Sequence, residues 1–173
     1  ETRAIFDEEP RTRCWLEILA VLAECQAEVG VIPAGAAGEV AHTCREIRLD
    51  ERFFAEVRAT FEATNHSMLG LIRAVQHRCP KDSGEWVYFG ATVQDVTDTW
   101  MMMALEKIWT IAFRDLRAIE ANLLDLARRH RGTVMAGRTH GQVGLPITFG
   151  YKAAVWACET RRHIRRLKEV KPR

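Results

Sequence analysis

The chain has 173 residues, 47% of them hydrophobic, and a formal net charge of +2. This is about one domain's worth of sequence, too apolar for disorder and too neutral to demand a polyanionic partner. Cys14, Cys25, Cys44, Cys79 and Cys158 form no C-x-x-C pair, and no uncharged apolar run reaches the ~18–20 residues a bilayer needs, so the reading is a cytoplasmic protein with reduced thiols, no zinc site and no membrane partner.

Asp7 to Val29 has helical spacing, with Trp15, Leu19, Leu22 and Val29 on one stripe and Ile18 and Cys25 beside it. Pro10 suits an early helical position, Gly30 a stop, and Pro33 prevents resumption. Pro33 to Arg45 predicts a weaker helix whose small residues allow close backbone approach or leave a loose segment. Asp50 caps a third helix, Glu51 to Ala63, with Phe53, Phe54, Val57 and Phe61 inward. Thr64-Asn65-His66-Ser67 interrupts it, and Met68 to Arg78 continues through Leu69, Ile72 and Val75 until Pro80. Pro80 to Phe89 reads as a polar loop with a possible short strand at Trp86 to Phe89. One long helix then runs from Ala91 to about Arg131, with Val96, Trp100, Ala104, Ile108, Ala112, Leu116, Ile119, Leu123 and Leu126 on a single face. Gly132 ends it, and Thr133 to Leu145 reads as an ordered loop. A last helix, about Pro146 to Lys168, offers Ala153, Val155, Trp156, Ile164 and Leu167 for packing. The fold expected is all-α: a small N-terminal helical domain, 1–90, followed by the first long helices of a central bundle, 91–173.

Two polar clusters flank the long helix. In Gly137-Arg138-Thr139-His140-Gly141-Gln142, the glycines permit tight backbone around an imidazole that can reach a ligand and exchange a proton. Arg138 can hold a carboxylate in a fork and Gln142 can hydrogen-bond an anion. The competing reading is a helix connection whose polar residues satisfy backbone groups. In Gly90-Ala91-Thr92-Val93-Gln94-Asp95, a helix start exposes amides that attract carboxylate or phosphate, although capping alone explains Thr92 and Asp95. A helix of this length spans roughly 55 Å. A site using both clusters is therefore expected to draw on more than one copy of the chain. The basic tail (Arg161, Arg162, His163, Arg165, Arg166, Lys168, Lys171) complements a helix dipole. Without interleaved aromatics it argues poorly for nucleic acid.

Taken together and in register, these segments resemble the fumarase/aspartase superfamily, in its adenylosuccinate lyase and 3-carboxy-cis,cis-muconate cycloisomerase branch. The matching stretches are Arg3-Ala4-Ile5-Phe6, Trp15-Leu16-Glu17 to Pro33, Thr64-Asn65-His66, Gly90 to Asp95 with Asp98-Thr99, and Gly137 to Gln142 with Pro146 to Gly150. The resemblance implies a homotetramer with sites shared among subunits, a small dicarboxylate-containing substrate, no cofactor, and β-elimination that releases fumarate. It makes His140 the general acid, His66 a supporting hydrogen bonder or relay, and Thr92, Gln94, Asp95, Arg138, Thr139 and Gln142 substrate-binding residues. The pattern Thr139-His140-Gly141-Gln142 favours an adenylosuccinate-type C–N lyase of purine biosynthesis. Gly-Ala-Thr-x-Gln-Asp, together with Leu167-Lys168-Glu169 before Lys171-Pro172-Arg173, leans toward the cycloisomerase. A non-catalytic helical assembly domain is the alternative outside enzymes. Val93 stands where the family usually has Ser, and Ser67 where the adenylosuccinate lyases commonly have Asp. The Gly-Ser-Ser-x-Met-Pro-x-Lys-x-Asn loop with its serine base has no counterpart here. The chain is accordingly expected to be an N-terminal fragment, inactive by itself.

Overall fold

The computed structural model describes residues 1–171, Lys81 by its backbone alone; Pro172 and Arg173 of the Lys171-Pro172-Arg173 run lie outside the described residues. Seven α-helices appear among them: α1 (Thr2–Phe6), α2 (Glu8–Glu28), α3 (Ala34–Glu46), α4 (Glu51–Thr64), α5 (Leu69–Gln76), α6 (Val93–Arg129) and α7 (Phe149–Val170). A short 3-10 helix, Lys81–Trp86, follows α5, and strands β1 (Val134–Thr139) and β2 (Gln142–Thr148) pair between α6 and α7. The all-α expectation holds, with this hairpin as the one β element described. The chain divides into two compact units, Glu1–Ala104 and Leu105–Arg173, and α6 contributes to both.

The first unit builds its core on α2 and α3. Leu16, Leu19, Ala20 and Ala23 are buried on α2, and Ala37, Val40, Ala41 and Cys44 on α3. The α2 face is turned from the expected stripe: Trp15 only packs at its edge and Val29 is 76% exposed. Sequence periodicity weights large side chains, whereas two helices meeting through small residues bury alanines in the seam. Gly35 and Gly38 on α3 face open space, so close approach is not their role. The carboxylate of Asp50 accepts from the Phe53 amide at 3.0 Å and starts α4 as expected. Phe53 is buried, but Phe61 is 46% exposed, against expectation. Asn65, in the left-handed region at φ 55°, ends α4. The loop after Pro80 is largely the 3-10 helix. No strand forms at Trp86 to Phe89, because Tyr88 at φ 65° and Gly90 at φ 67° turn the backbone out of extension.

In the second unit α6 and α7 lie antiparallel. The Trp109 indole donates to the Leu167 carbonyl at 2.8 Å, Arg161 pairs with Glu120, and Gly150 abuts Ala127 and Arg131. Lower numbers on one helix thus face higher numbers on the other. Ala153, Ala157, Thr160 and Ile164 are buried on α7, whereas Val155 and Trp156, expected to pack, are 47% and 44% exposed. The long stripe of α6 is confirmed as a helix face but divides in burial. Val96, Trp100 and Ala104 are buried, Ile108, Ala112, Leu116, Leu123 and Leu126 are half-buried, and Ile119 is 47% exposed. The fully buried residue on this later part is Glu120, held by Arg117 at 2.8 Å and by Arg161.

Thr133 to Leu145, expected as a loop, is largely the hairpin, and Pro146 belongs to β2, opposite Ala136. The last helix therefore begins at Phe149. Thr148 accepts from the Tyr151 amide at 3.1 Å as its N-cap. The hairpin is rooted on the end of α6, where the amides of Phe149 and Gly150 donate to the carbonyls of Thr133 and His130, each at 2.9 Å.

Candidate functional site

His140 and Gly141 are the two-residue loop of the hairpin, with φ of 50° and 76°. Two successive positive φ values fit a type I′ turn, whose twist matches that of the strands it joins. Glycine takes such a conformation without cost, and histidine is enriched there among the other residues. The imidazole consequently sits at an exposed tip, and no hydrogen bond or ion pair reaches it among the described residues. Thr139 and Gln142 are the pair that closes the turn, and Arg138 is opposite Val143 one step further. Since strand residues alternate in direction, Thr139 and Gln142 share one face and Arg138 and Val143 the other. The hairpin thus gathers four of the expected site residues, all exposed, with a fork-shaped cation on one side and an amide and hydroxyl on the other.

At the start of α6, the Asp95 carboxylate accepts from the Thr92 amide at 2.8 Å. This is the reciprocal half of a capping box. Asp95 is occupied with shaping the helix start, and the Gln94 amide donates to the Asp98 carboxylate. Thr92 remains exposed. Val93 packs against the apolar core of the first unit, which gives the departure from the family's serine a structural reason.

His66 follows the left-handed Asn65. Its Nδ1 accepts from the amides of Met68 at 3.3 Å and Leu69 at 3.0 Å, at the start of α5. An acceptor Nδ1 places the ring proton on Nε2, which is left to face outward as a donor. This backbone anchor orients the ring although Ser67 replaces the family's aspartate.

The basic tail is partly engaged within its own unit. Arg161 pairs with Glu120, Lys168 lies over Phe113 at 5.7 Å, and Lys171 lies over Trp109 at 4.4 Å. Cations over aromatic faces and on a buried carboxylate are less available to a polyanion. Glu120 escaped sequence reading, because a lone acid on a helix looks solvated until its partner 41 residues away is known. Gln26 escaped too: on an apolar face of α2, it donates through Nε2 to the Phe89 carbonyl at 2.7 Å. Among the described residues no helix is long and apolar enough to cross a membrane.

The chain belongs to the lyase family, whose model matches residues 1–173, within the fumarase/aspartase superfamily. It is 40% identical over 173 residues to an N-acetyl-S-(2-succino)cysteine lyase of Enterococcus italicus, covering 100% of this chain and 37% of that protein. It is 37% identical over 175 residues to an adenylosuccinate lyase of Methanocaldococcus jannaschii, again covering 100% of this chain and 37% of that protein. The β-carboxy-cis,cis-muconate cycloisomerase from Acinetobacter calcoaceticus superposes with a TM-score of 0.87 at 26% identity, over 98% of this chain and 40% of that one. The chain therefore spans well under half the length of the proteins it resembles.

Proposed function

We propose that these residues form part of a lyase that breaks a carbon–heteroatom bond to a succinyl group by β-elimination and releases fumarate. In this reaction a base removes the proton from the carbon next to one carboxylate. The electron pair then forms the new double bond as the heteroatom departs. The departing nitrogen or sulfur takes a proton from His140. The exposed left-handed turn carries this reading, because it puts an imidazole free of internal partners between Thr139 and Gln142. Arg138, Thr139 and Gln142, and Thr92 and Gln94 at the helix start, would hold the carboxylates. Asp95 would act by fixing Thr92, and His66 would present Nε2–H as a supporting donor. No serine loop for the base occurs in these residues, so the isolated chain is expected to be inactive. The uninterrupted α6, with 37 residues, supports sites assembled among copies in a tetramer. An N-succinyl substrate of the adenylosuccinate type follows from the His-Gly-Gln pattern, and the likeness to the Enterococcus protein brings S-succinyl thiols alongside it. Cycloisomerisation is the second reading, supported by the superposition with the Acinetobacter enzyme.

The test follows ultraviolet absorbance of fumarate when the full-length protein meets adenylosuccinate and an S-succinyl cysteine in turn, and loss of the diene absorbance when it meets 3-carboxymuconate, whose cyclisation releases no fumarate. His140→Gln is expected to lose at least about a hundredfold in turnover, the ordinary worth of a general acid, with helical content unchanged. Near-normal turnover in that variant would remove His140 from the acid role. Absence of fumarate release from a folded wild type would remove the lyase assignment.

A further inference from the structure

We infer that Gln26 is a positioning residue for the substrate-binding helix start, acting through the Tyr88–Ala91 turn. Ile18, Leu22 and Gln26 recur at four-residue steps, so they share one face of α2. The first two are apolar and border a cavity of about 190 Å³ whose other wall includes Gly90, Ala91 and Asp95. A third apolar side chain would suit this face better on packing grounds. Instead the position holds an amide that is only half used. Nε2 donates to the Phe89 carbonyl at 2.7 Å, while Oε1 is buried without a donor among the described residues. An unpaired buried acceptor is costly, so packing alone does not account for a glutamine at this position.

That geometry is unusual. Tyr88 at φ 65° and Gly90 at φ 67° bracket Phe89, whose carbonyl is the atom Gln26 grips. A non-glycine residue in the left-handed region persists only where its surroundings over-determine it. Downstream of the turn, the Ala91 amide donates to the Tyr88 carbonyl at 3.3 Å and the Thr92 amide to Asp95 at 2.8 Å. Gln26 therefore sets where Thr92 and the first free amides of α6 point. The kinetic consequence rests on the lyase reading; the structural one does not.

The experiment uses the full-length protein with Gln26→Leu, which keeps bulk and removes both polar atoms, and with the near-isosteric Gln26→Glu, which keeps an acceptor but loses the donor to Phe89. Amide exchange at Ala91 and Thr92 is expected to quicken about three- to tenfold in both, the worth of one lost hydrogen bond, while amides in mid-α2 stay unchanged. KM for the succinyl substrate rises by a similar factor with kcat within about twofold, since carboxylate binding is disturbed and the proton-transfer groups are not. Unchanged exchange in both variants overturns the positioning role. Quickened exchange with unchanged KM in an active wild type separates Gln26 from substrate binding and overturns the inference as well. An inactive wild type with quickened exchange in the variants refutes the lyase reading and leaves the loop role standing.

Discussion

His66 offers a way to separate a structural duty from a chemical one on a single side chain. Its Nδ1 accepts two backbone amides at the start of α5, at 3.3 and 3.0 Å. Removing a helix N-terminal acceptor costs about 1 kcal/mol. His66→Ala is therefore expected to lower unfolding stability by about that amount, and to speed exchange of the Leu69 amide about fivefold, at 1.4 kcal/mol per factor of ten. Asparagine puts an amide oxygen near the place of Nδ1 and carries no Nε2. His66→Asn should thus restore the cap, with stability within about 0.3 kcal/mol of wild type, and fail to restore turnover. Urea unfolding at fixed protein concentration, amide exchange and steady-state kinetics on the full-length protein read the two effects apart. Equal stability of wild type and His66→Ala would refute the cap. Full turnover in His66→Asn would refute any use of Nε2.

Gly150→Ala is expected to destabilise by about 1–3 kcal/mol, because its Cβ would meet the Ala127 carbonyl and the Arg131 backbone at 2.7 Å; a lower urea midpoint checks it. Gly38→Ala should do the reverse, raising stability by about 0.5–1 kcal/mol, since it lies within α3 with open space around it. Cys44 is fully buried, and burial, aided by Cys79 and Glu17, pushes its thiol from 9.0 up to about 12 against the opposing charge of Arg45. The folded state holds this proton more tightly than the unfolded one, so the associated stability is present below pH 9 and is lost as pH climbs toward 12. Unfolding free energies at pH 8 and about pH 10 should show wild type losing about 1 kcal/mol more than Cys44→Ala across that interval.

The helices were legible wherever burial follows side-chain size and caps are written in the chain. Asp50, Asn65 and the apolar stripe of α6 are cases. The hairpin was not. Ala136, Gly137, Gly144 and Pro146 break the alternation that marks a strand, and the readable signal was the short His140-Gly141 loop between two runs of similar length. The α2 face was read slightly out of phase because alanines carry the contact with α3. Burial along the second half of α6 was not legible: Ile119 is 47% exposed, and periodicity does not say how many neighbours a face will meet. The candidate site residues were legible as motifs. Their geometry was not, since Gln26 and the double left-handed turn at Tyr88 and Gly90 arise from a contact 63 residues apart in sequence.

The hairpin is also a lever arm. Six residues of β1, at about 3.3 Å each, carry the imidazole about 20 Å from the root at Thr133 and Phe149. A pivot of about 3° at that root displaces the tip by about 1 Å, enough to cost about a hundredfold in a reaction that depends on alignment. Loosening at the root, as in Gly150→Ala, should accordingly register in turnover well before it registers in helical content.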